Sequence, residues 1–171
     1  MRMAPLVLGL FAASCAAAKP DAAAYYLIPG SVPLDKGPDG NSIVLNAPDG
    51  LIVVDTGRHP EHSAKIIAYA RERRRPIAAI VNTHWHLDHT TGNWDLRQAY
   101  PEAEVYATTA IEGALAGFLN RNRAEGDKLL ADSNASPQRK AQLLRARSVV
   151  DNPDRLRATR TVRRSGRTKI A

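Results

Sequence analysis

Short apolar runs alternate with longer amphipathic stretches along this chain. The runs at 25–29, 42–47 and 51–55 have the length and the apolar content of strands. Pro48-Asp49-Gly50 separates the second run from the third, and the fixed φ of proline beside the freer φ of glycine suits a tight turn. The pattern therefore predicts a β-hairpin made of the second and third runs.

Helical periodicity follows this hairpin. Residues 60–74 place apolar side chains on one side and end in a cluster of arginines, which suits an amphipathic helix with cations at its negative end. The nearly all-apolar run 77–83 predicts a strand buried on both faces. Beyond it the pattern predicts, in order, a helix from Gly92 or Asn93 to Pro101, a strand at 103–107, and helices at 109–121 and 137–148. This alternation predicts an α/β fold.

The positive charge of the chain is concentrated at its C-terminal end. The 171 residues carry a formal net charge of +7, and residues 151–171 contribute seven basic and two acidic side chains, a surplus of five. These last residues include no aromatic side chain on which a nucleic-acid base would stack. We therefore expect a solvated basic tail at 151–171 and no nucleic-acid partner.

The first residues have the features of a secretory signal. Arg2 precedes the apolar run 5–13, and the small residues 16–18 form a cleavage site before Lys19. We therefore expect a signal peptide at 1–18 and a periplasmic or secreted protein. Cys15, the single cysteine, follows Ala-Ala-Ser and loosely resembles a lipoprotein box, so a lipid anchor at Cys15 is the alternative. No later stretch has the apolar length of a membrane-spanning helix.

Three of the five histidines and one aspartate lie within six consecutive positions. They directly follow the strand predicted at 77–83 and are His84, His86, Asp88 and His89. Imidazole nitrogens and carboxylate oxygens at this density suit Zn²⁺, whose filled d shell imposes no geometry of its own. The stretch therefore predicts a zinc site that holds one or two ions.

These residues carry a family resemblance. The stretch from His84 to His89 matches the His-x-His-x-Asp-His motif of the metallo-β-lactamase superfamily, and GLIVVDTG at 50–57 resembles the strand of that family that ends in Asp-Thr-Gly. The resemblance covers roughly residues 25–150 and implies the N-terminal half of an αβ/βα sandwich. The expected domain is therefore 19–150, incomplete relative to the family.

The resemblance also implies roles for single residues. His84 and His86 would bind one zinc ion, and Asp88 and His89 would bind a second. The implied activity is that of a zinc-dependent hydrolase, in which a metal-activated water attacks a small-molecule ester, thioester, lactone or β-lactam. Asp88 would also be the catalytic residue that handles the leaving group's proton, and Asp55 would orient the ligand loop through hydrogen bonds.

The sequence departs from the family pattern after His89. That pattern requires a further histidine for the first metal, a bridging aspartate and a final histidine, but no histidine or cysteine follows His89 here. We therefore expect a truncated or frameshifted version of a longer hydrolase with impaired activity. A second expectation is that Asp151 or Asp154 completes a minimal site. The alternatives are a non-catalytic zinc-binding fragment and, on the evidence of the basic tail alone, a nucleic-acid-processing member of the superfamily.

Two further pairs of residues have simpler interpretations. His59 and His62 follow the Asp-Thr-Gly segment, and we expect them on a solvated loop at a helix start, not at the metal. Trp85 and Trp94 are expected to serve as wall and core packing, with substrate stacking as the alternative.

The N-terminal pattern predicts a mature chain that begins near Lys19. Mass spectrometry or N-terminal sequencing of the protein from its native host would identify the first residue. A lipid-modified Cys15 would establish the alternative, and an intact Met1 on cytoplasmic protein would contradict both forms of export.

Overall fold

A single six-stranded sheet forms the centre of the fold. The computed structural model describes residues 24–33 and 37–170, so the expected signal peptide, Cys15 and the cleavage site lie outside the described residues. The strands are β1 Tyr25–Ile28, β2 Ser42–Ala47, β3 Gly50–Val54, β4 Ile77–Val81, β5 Glu104–Ala107 and β6 Arg160–Thr161. They lie side by side in chain order.

The direction of pairing changes once across this sheet. β1, β2 and β3 pair antiparallel, and β2 and β3 form the hairpin predicted from Pro48-Asp49-Gly50. β3, β4, β5 and β6 pair parallel, because each connection between them passes through helical segments. The predicted α/β class is confirmed.

Six α-helices accompany the sheet in the described part of the chain. They are α1 Pro60–Glu72, α2 Leu87–Thr90, α3 Asn93–Ala99, α4 Ala110–Ala116, α5 Phe118–Ala131 and α6 Pro137–Val150. The helix predicted at 109–121 is in fact divided, since Gly117 adopts a non-helical conformation with φ −106° and ψ −96° between α4 and α5. Among the described residues, no helix combines the length and the apolar character needed to cross a membrane.

The main core lies between the sheet and the pair of helices α1 and α3. Val53 of β3 and Ile80 of β4 are fully buried there against Ile66 of α1 and Leu96 of α3. Other residues of β4, such as Val81, are only half-buried. Ala79 and Ile80 point to opposite faces and are 1% and 0% exposed, so the predicted burial on both faces holds in the middle of the strand. The strand ends at Val81 and not at residue 83.

A second apolar cluster joins the helices α4, α5 and α6 to the residues beyond them. Ile111, Leu119 and Val149 pack there with Leu156, which is only 1% exposed. Arg160–Thr161 then pairs with β5. The stretch that the charge pattern presented as a solvated tail thus enters the fold through residues 156–161, whereas 163–169 are exposed.

The carboxyl ends of the parallel strands β3 and β4 lie next to each other. Asp55 follows β3 directly, and Asn82 follows β4. In open α/β sheets, functional side chains collect outside this edge. The histidine-rich segment begins there at His84.

Leu156→Ala should lower the free energy of unfolding by about 2–5 kcal/mol, because it removes a fully buried side chain from the second cluster. The matched control is Leu144→Ala on α6, where the side chain is 55% exposed and the expected change is within about 0.5 kcal/mol. Urea unfolding measures both, and equal values would contradict the placement of Leu156.

Candidate metal centre

Asp55 anchors the centre from the end of β3. Its backbone adopts the left-handed conformation at φ 59°, which few residues other than glycine, asparagine and aspartate tolerate. The side chain is turned toward the segment after β4, where Oδ1 accepts the Thr83 backbone N–H at 2.8 Å and Oδ2 accepts the Thr83 hydroxyl at 2.6 Å. The Asp55 carboxylate thereby ties the end of β3 to the segment after β4.

The same carboxylate orients His89. His89 Nδ1 lies 2.8 Å from Asp55 Oδ2. An ionised carboxylate only accepts hydrogen bonds, so Nδ1 donates to Asp55 and Nε2 is the nitrogen that remains to face a metal. A carboxylate behind a metal-binding histidine fixes the tautomer in this way. This geometry agrees with the orienting role that the sequence assigned to Asp55.

The free nitrogen of His89 faces Asp88. His89 Nε2 lies 3.4 Å from Asp88 Oδ2. Two ligand atoms about 2.0–2.1 Å from a tetrahedrally coordinated zinc ion lie about 3.3 Å apart. The spacing of this adjacent pair therefore fits two ligands of one ion.

His84 and His86 bring two more imidazoles to the same place. The ring centroid of His84 lies 4.6 Å from that of His86 and 4.2 Å from that of His89. Burial, together with the neighbouring imidazoles of His89 and His86, lowers the pKa of His84. The lowered pKa favours the neutral form of His84, which is the form that binds a metal.

Within the described residues, one group of side chains has ligand atoms that all lie within 4.8 Å of one another: Asp55, His84 and His89. Asp55 meets this distance criterion, but its oxygens already accept three hydrogen bonds. We therefore interpret it as a positioning residue. His86 and Asp88 border the group and remain predicted ligands.

Buried amides hold the backbone of the ligand segment. The His89 carbonyl accepts the Thr56 N–H at 2.8 Å and the Asn82 side-chain amide at 3.2 Å. Asn93 donates to Asn82 at 2.7 Å and accepts from the Thr56 hydroxyl at 2.9 Å. A Cβ at Gly92 would lie 2.2 Å from the Thr56 carbonyl oxygen, so only glycine permits this approach.

The interpretation of His59 and His62 as solvated was wrong. His59 is 8% exposed and His62 is 2% exposed. His59 Nδ1 lies 3.0 Å from Asp39 Oδ2, and His62 Nε2 lies 2.8 Å from the Ser42 hydroxyl. Asp39 lies in the segment before β2 and Ser42 is the first residue of β2, and neither the spacing nor the periodicity of the histidines revealed these partners.

Asp39 is the structural residue that the sequence pattern did not identify. Its Oδ1 accepts the backbone N–H groups of Arg58 and His59 at 2.7 and 2.8 Å. Burial would raise its pKa, but these bonds and the one from the His59 side chain outweigh burial and lower it. The adjacent Gly40 N–H donates to the Asp88 carbonyl at 2.8 Å, so this turn also supports the ligand segment. An Asp-Gly pair between strands indicates only a turn, which is why its role was missed.

The aspartates considered as substitute ligands are engaged with arginines. Asp151 lies 2.8 Å from Arg123, and Asp154, whose side chain is 93% exposed, lies 3.0 Å from Arg157. Neither belongs to the group of close ligand atoms found in the described residues.

The two tryptophans pack differently. Trp85 contacts the second apolar cluster and the ring of Phe118, with ring centroids 5.6 Å apart. The Arg155 guanidinium lies over the ring of Trp94, 4.3 Å from its centroid.

A family model described as the metallo-beta-lactamase superfamily matches residues 36–158, which is more than half of the chain. The chain belongs to the metallo-beta-lactamase superfamily. The match contains Asp55 and the complete segment from His84 to His89.

Individual members of the superfamily match shorter stretches. A linear primary-alkylsulfatase of Pseudomonas sp. (strain ATCC 19151) is 48% identical over 50 residues, which cover 29% of this chain and 10% of that enzyme. A hydroxyacylglutathione hydrolase of Edwardsiella ictaluri (strain 93-146) is 34% identical over 71 residues, which cover 42% of this chain and 27% of that enzyme. The crystal structure of a subclass B3 metallo-beta-lactamase from a soil metagenome library is 26% identical, with a TM-score of 0.41. The match covers 54% of this chain and 33% of the lactamase chain. The matched part is thus less than half the length of each of these relatives.

Asp55→Asn should weaken the binding of zinc, the metal expected from the sequence, by about 10–100-fold, because the amide no longer holds His89 with a charged acceptor. Asparagine tolerates the left-handed backbone, so the variant tests the charge and not the fold. Competition against a chromophoric chelator measures the affinity. Asp154→Asn, at an exposed carboxylate, is the control, and equal affinities in the two variants would contradict the role of Asp55.

Proposed function

We propose that these residues form the zinc-binding part of a hydrolase that acts on an ester, thioester, lactone or β-lactam. The relatives include hydroxyacylglutathione hydrolases, and the chain carries the ligand segment of its superfamily. The observation that carries the proposal is the arrangement around His89, in which Asp55 holds Nδ1 at 2.8 Å while Nε2 faces Asp88 at 3.4 Å.

The donor set fits zinc. Three imidazoles and the Asp88 carboxylate are borderline and hard ligands of the kinds that zinc sites use. His84 and His86 would hold one ion, and Asp88 and His89 would hold a second. Bound zinc would supply Lewis acidity and lower the pKa of a coordinated water to about 7.

Asp88 is the residue best placed to handle a proton. Its side chain is 20% exposed, with Oδ2 near His89 and Oδ1 3.7 Å from the Arg58 guanidinium. Asp88 is therefore reachable from the solvent side of the centre. We propose that it carries the proton of the leaving group.

The number of ligands bears on the rate. Catalytic zinc sites typically have about three protein ligands and one open position. The proposed assignment gives each zinc ion two protein ligands, and the residues after His89 include no histidine or cysteine. We therefore expect slow turnover by the 171-residue chain. The second candidate function, zinc binding without catalysis, rests on this same shortage.

Export remains part of the proposal. A periplasmic or secreted location is supported by the signal-like N-terminus, which consists of Arg2, the apolar run 5–13 and the small residues before Lys19. Attachment through Cys15 is the alternative.

The test is zinc-dependent hydrolysis of a panel that contains a β-lactam, a lactone, a glutathione thioester and an alkyl sulfate ester. We expect slow turnover of at least one compound, lost on chelation, restored by zinc, and lost in His86→Ala. Asp154→Asn is the control because that carboxylate is 93% exposed and lies outside the ligand segment. Circular dichroism verifies that both variants fold.

Two results would change the assignment. Zinc binding that depends on His86 without any turnover would favour the non-catalytic candidate. Turnover that is equal in His86→Ala and in the original chain would contradict the proposed centre.

A further inference from the structure

A large cavity opens beside the metal centre. Its volume is about 850 Å³, within the range of small-molecule sites. His86, Asp88 and Trp85 form the wall on the side of the centre. The opposite wall comes from the facing helices α5 and α6. A molecule in this cavity would therefore contact the predicted ligands directly.

Apolar side chains form part of the helical wall. Leu119 and Leu129 line it from α5, and Leu143 and Val150 line it from α6. Gly126 lets the helices approach here, since a Cβ at that position would lie 3.3 Å from a Leu143 methyl group. The helices thus offer apolar surface to a ligand, beside polar side chains of the same helices such as Asn122 and Gln142.

Four arginines also line the cavity, and two of them are neutralised by nearby carboxylates. Arg123 lies 2.8 Å from Asp151, and Arg147 pairs with Asp127. Arg139 has no ion pair among the described residues. The cavity wall therefore carries more positive than negative charge.

Arg58 is the cation nearest to the centre. Its Nε donates to the Pro38 carbonyl at 3.1 Å, which fixes the side chain. Its terminal nitrogen lies 3.7 Å from Asp88, which is too far for a hydrogen bond. Most donors of this guanidinium are therefore available to a ligand.

Gln142 brings a second donor to the same corner. A Cβ at Gly37 would lie 2.7 Å from Gln142 Nε2 and 3.0 Å from Arg58 Cζ. The amide and the guanidinium therefore converge where Gly37 lines the cavity. Converging neutral and charged N–H donors suit a carboxylate or another oxyanion.

We propose that this cavity binds an anion with an unbranched apolar chain. The anionic group lies at Arg58 and Gln142, and the chain lies along the leucines of α5 and α6. This inference rests on the proposed function. It identifies the substrate of that function as an amphiphilic anion whose scissile bond lies at the metal centre, next to Asp88. The binding step itself needs no metal.

A small molecule fits these observations better than a second copy of the chain. The cavity combines the corner at Arg58 and Gln142 with the apolar side chains of α5 and α6, so a single ligand with two chemically different ends can contact both. A protein segment would have to offer a carboxylate directly beside an apolar stretch. Self-association is therefore the alternative that the experiment must distinguish.

The experiment uses Trp85 as the reporter of binding. Trp85 and Trp94 are the two tryptophans of the chain, and only Trp85 lines the cavity. In the full-length Trp94→Phe variant, kept metal-free with a chelator, the fluorescence of Trp85 is titrated with octanoate, octanol, octylammonium and acetate. We expect octanoate to bind about tenfold or more tightly than each of the other three, because it alone has both the charge and the chain.

Arg58→Gln in the same background should weaken octanoate binding by about tenfold and leave octanol binding unchanged. Arg157→Gln is the control, because that arginine is paired with Glu112 on the exposed side of α4 and does not line the cavity. If Arg58→Gln fails to fold, the comparison of the four probes still decides the proposal.

Equal affinity for octanoate and octanol would overturn the proposal, as would equal octanoate affinity in Arg58→Gln and Arg157→Gln. If probe binding disappears as the chain self-associates, the apolar wall is the contact surface of a second copy of the chain. That result would also overturn the proposal. Octanoate binding without hydrolysis of any panel compound would uphold this site and count against the proposed function only.

Discussion

The carboxylate of Asp55 connects parts of the chain that the sheet alone would not align. The backbone of Asp55 adopts the left-handed conformation at φ 59°, which costs about 1–3 kcal/mol at such sites. Two hydrogen bonds to Thr83 and one to His89 offset that cost. The parallel pairing of β3 with β4 brings these groups within reach, and the orientation of the candidate metal centre depends on this one side chain.

Support for the ligand segment continues outward through buried polar groups. Asn82, Asn93 and Thr56 satisfy the His89 carbonyl and each other, so the turn after β4 has few unpaired polar atoms. Asp39 holds the backbone at Arg58 and His59 from the opposite side. Buried networks of this kind are costly when a member is missing, which makes the segment rigid before any metal binds.

The second apolar cluster gives the centre its surroundings. It places α5 and α6 opposite the ligand segment and joins them to Leu156. The cavity between these helices and the centre owes its apolar wall to that packing, and its cationic corner to the loop that carries Arg58. The candidate metal centre and the helical wall of the proposed binding cavity are therefore built by different parts of the fold.

The sequence alone determined the strands β1 to β5, the hairpin, the helix α1 and the candidate ligands, because each depends on residues that are close together along the chain. The six-residue ligand motif is local, and so is the periodicity of a strand or helix. Tertiary structure decided the burial of His59 and His62, the division at Gly117, the pairing of β6 with β5 and the meeting of Arg58 with Gln142. These features join residues distant in the chain, and no local pattern encodes which distant partner a side chain will meet.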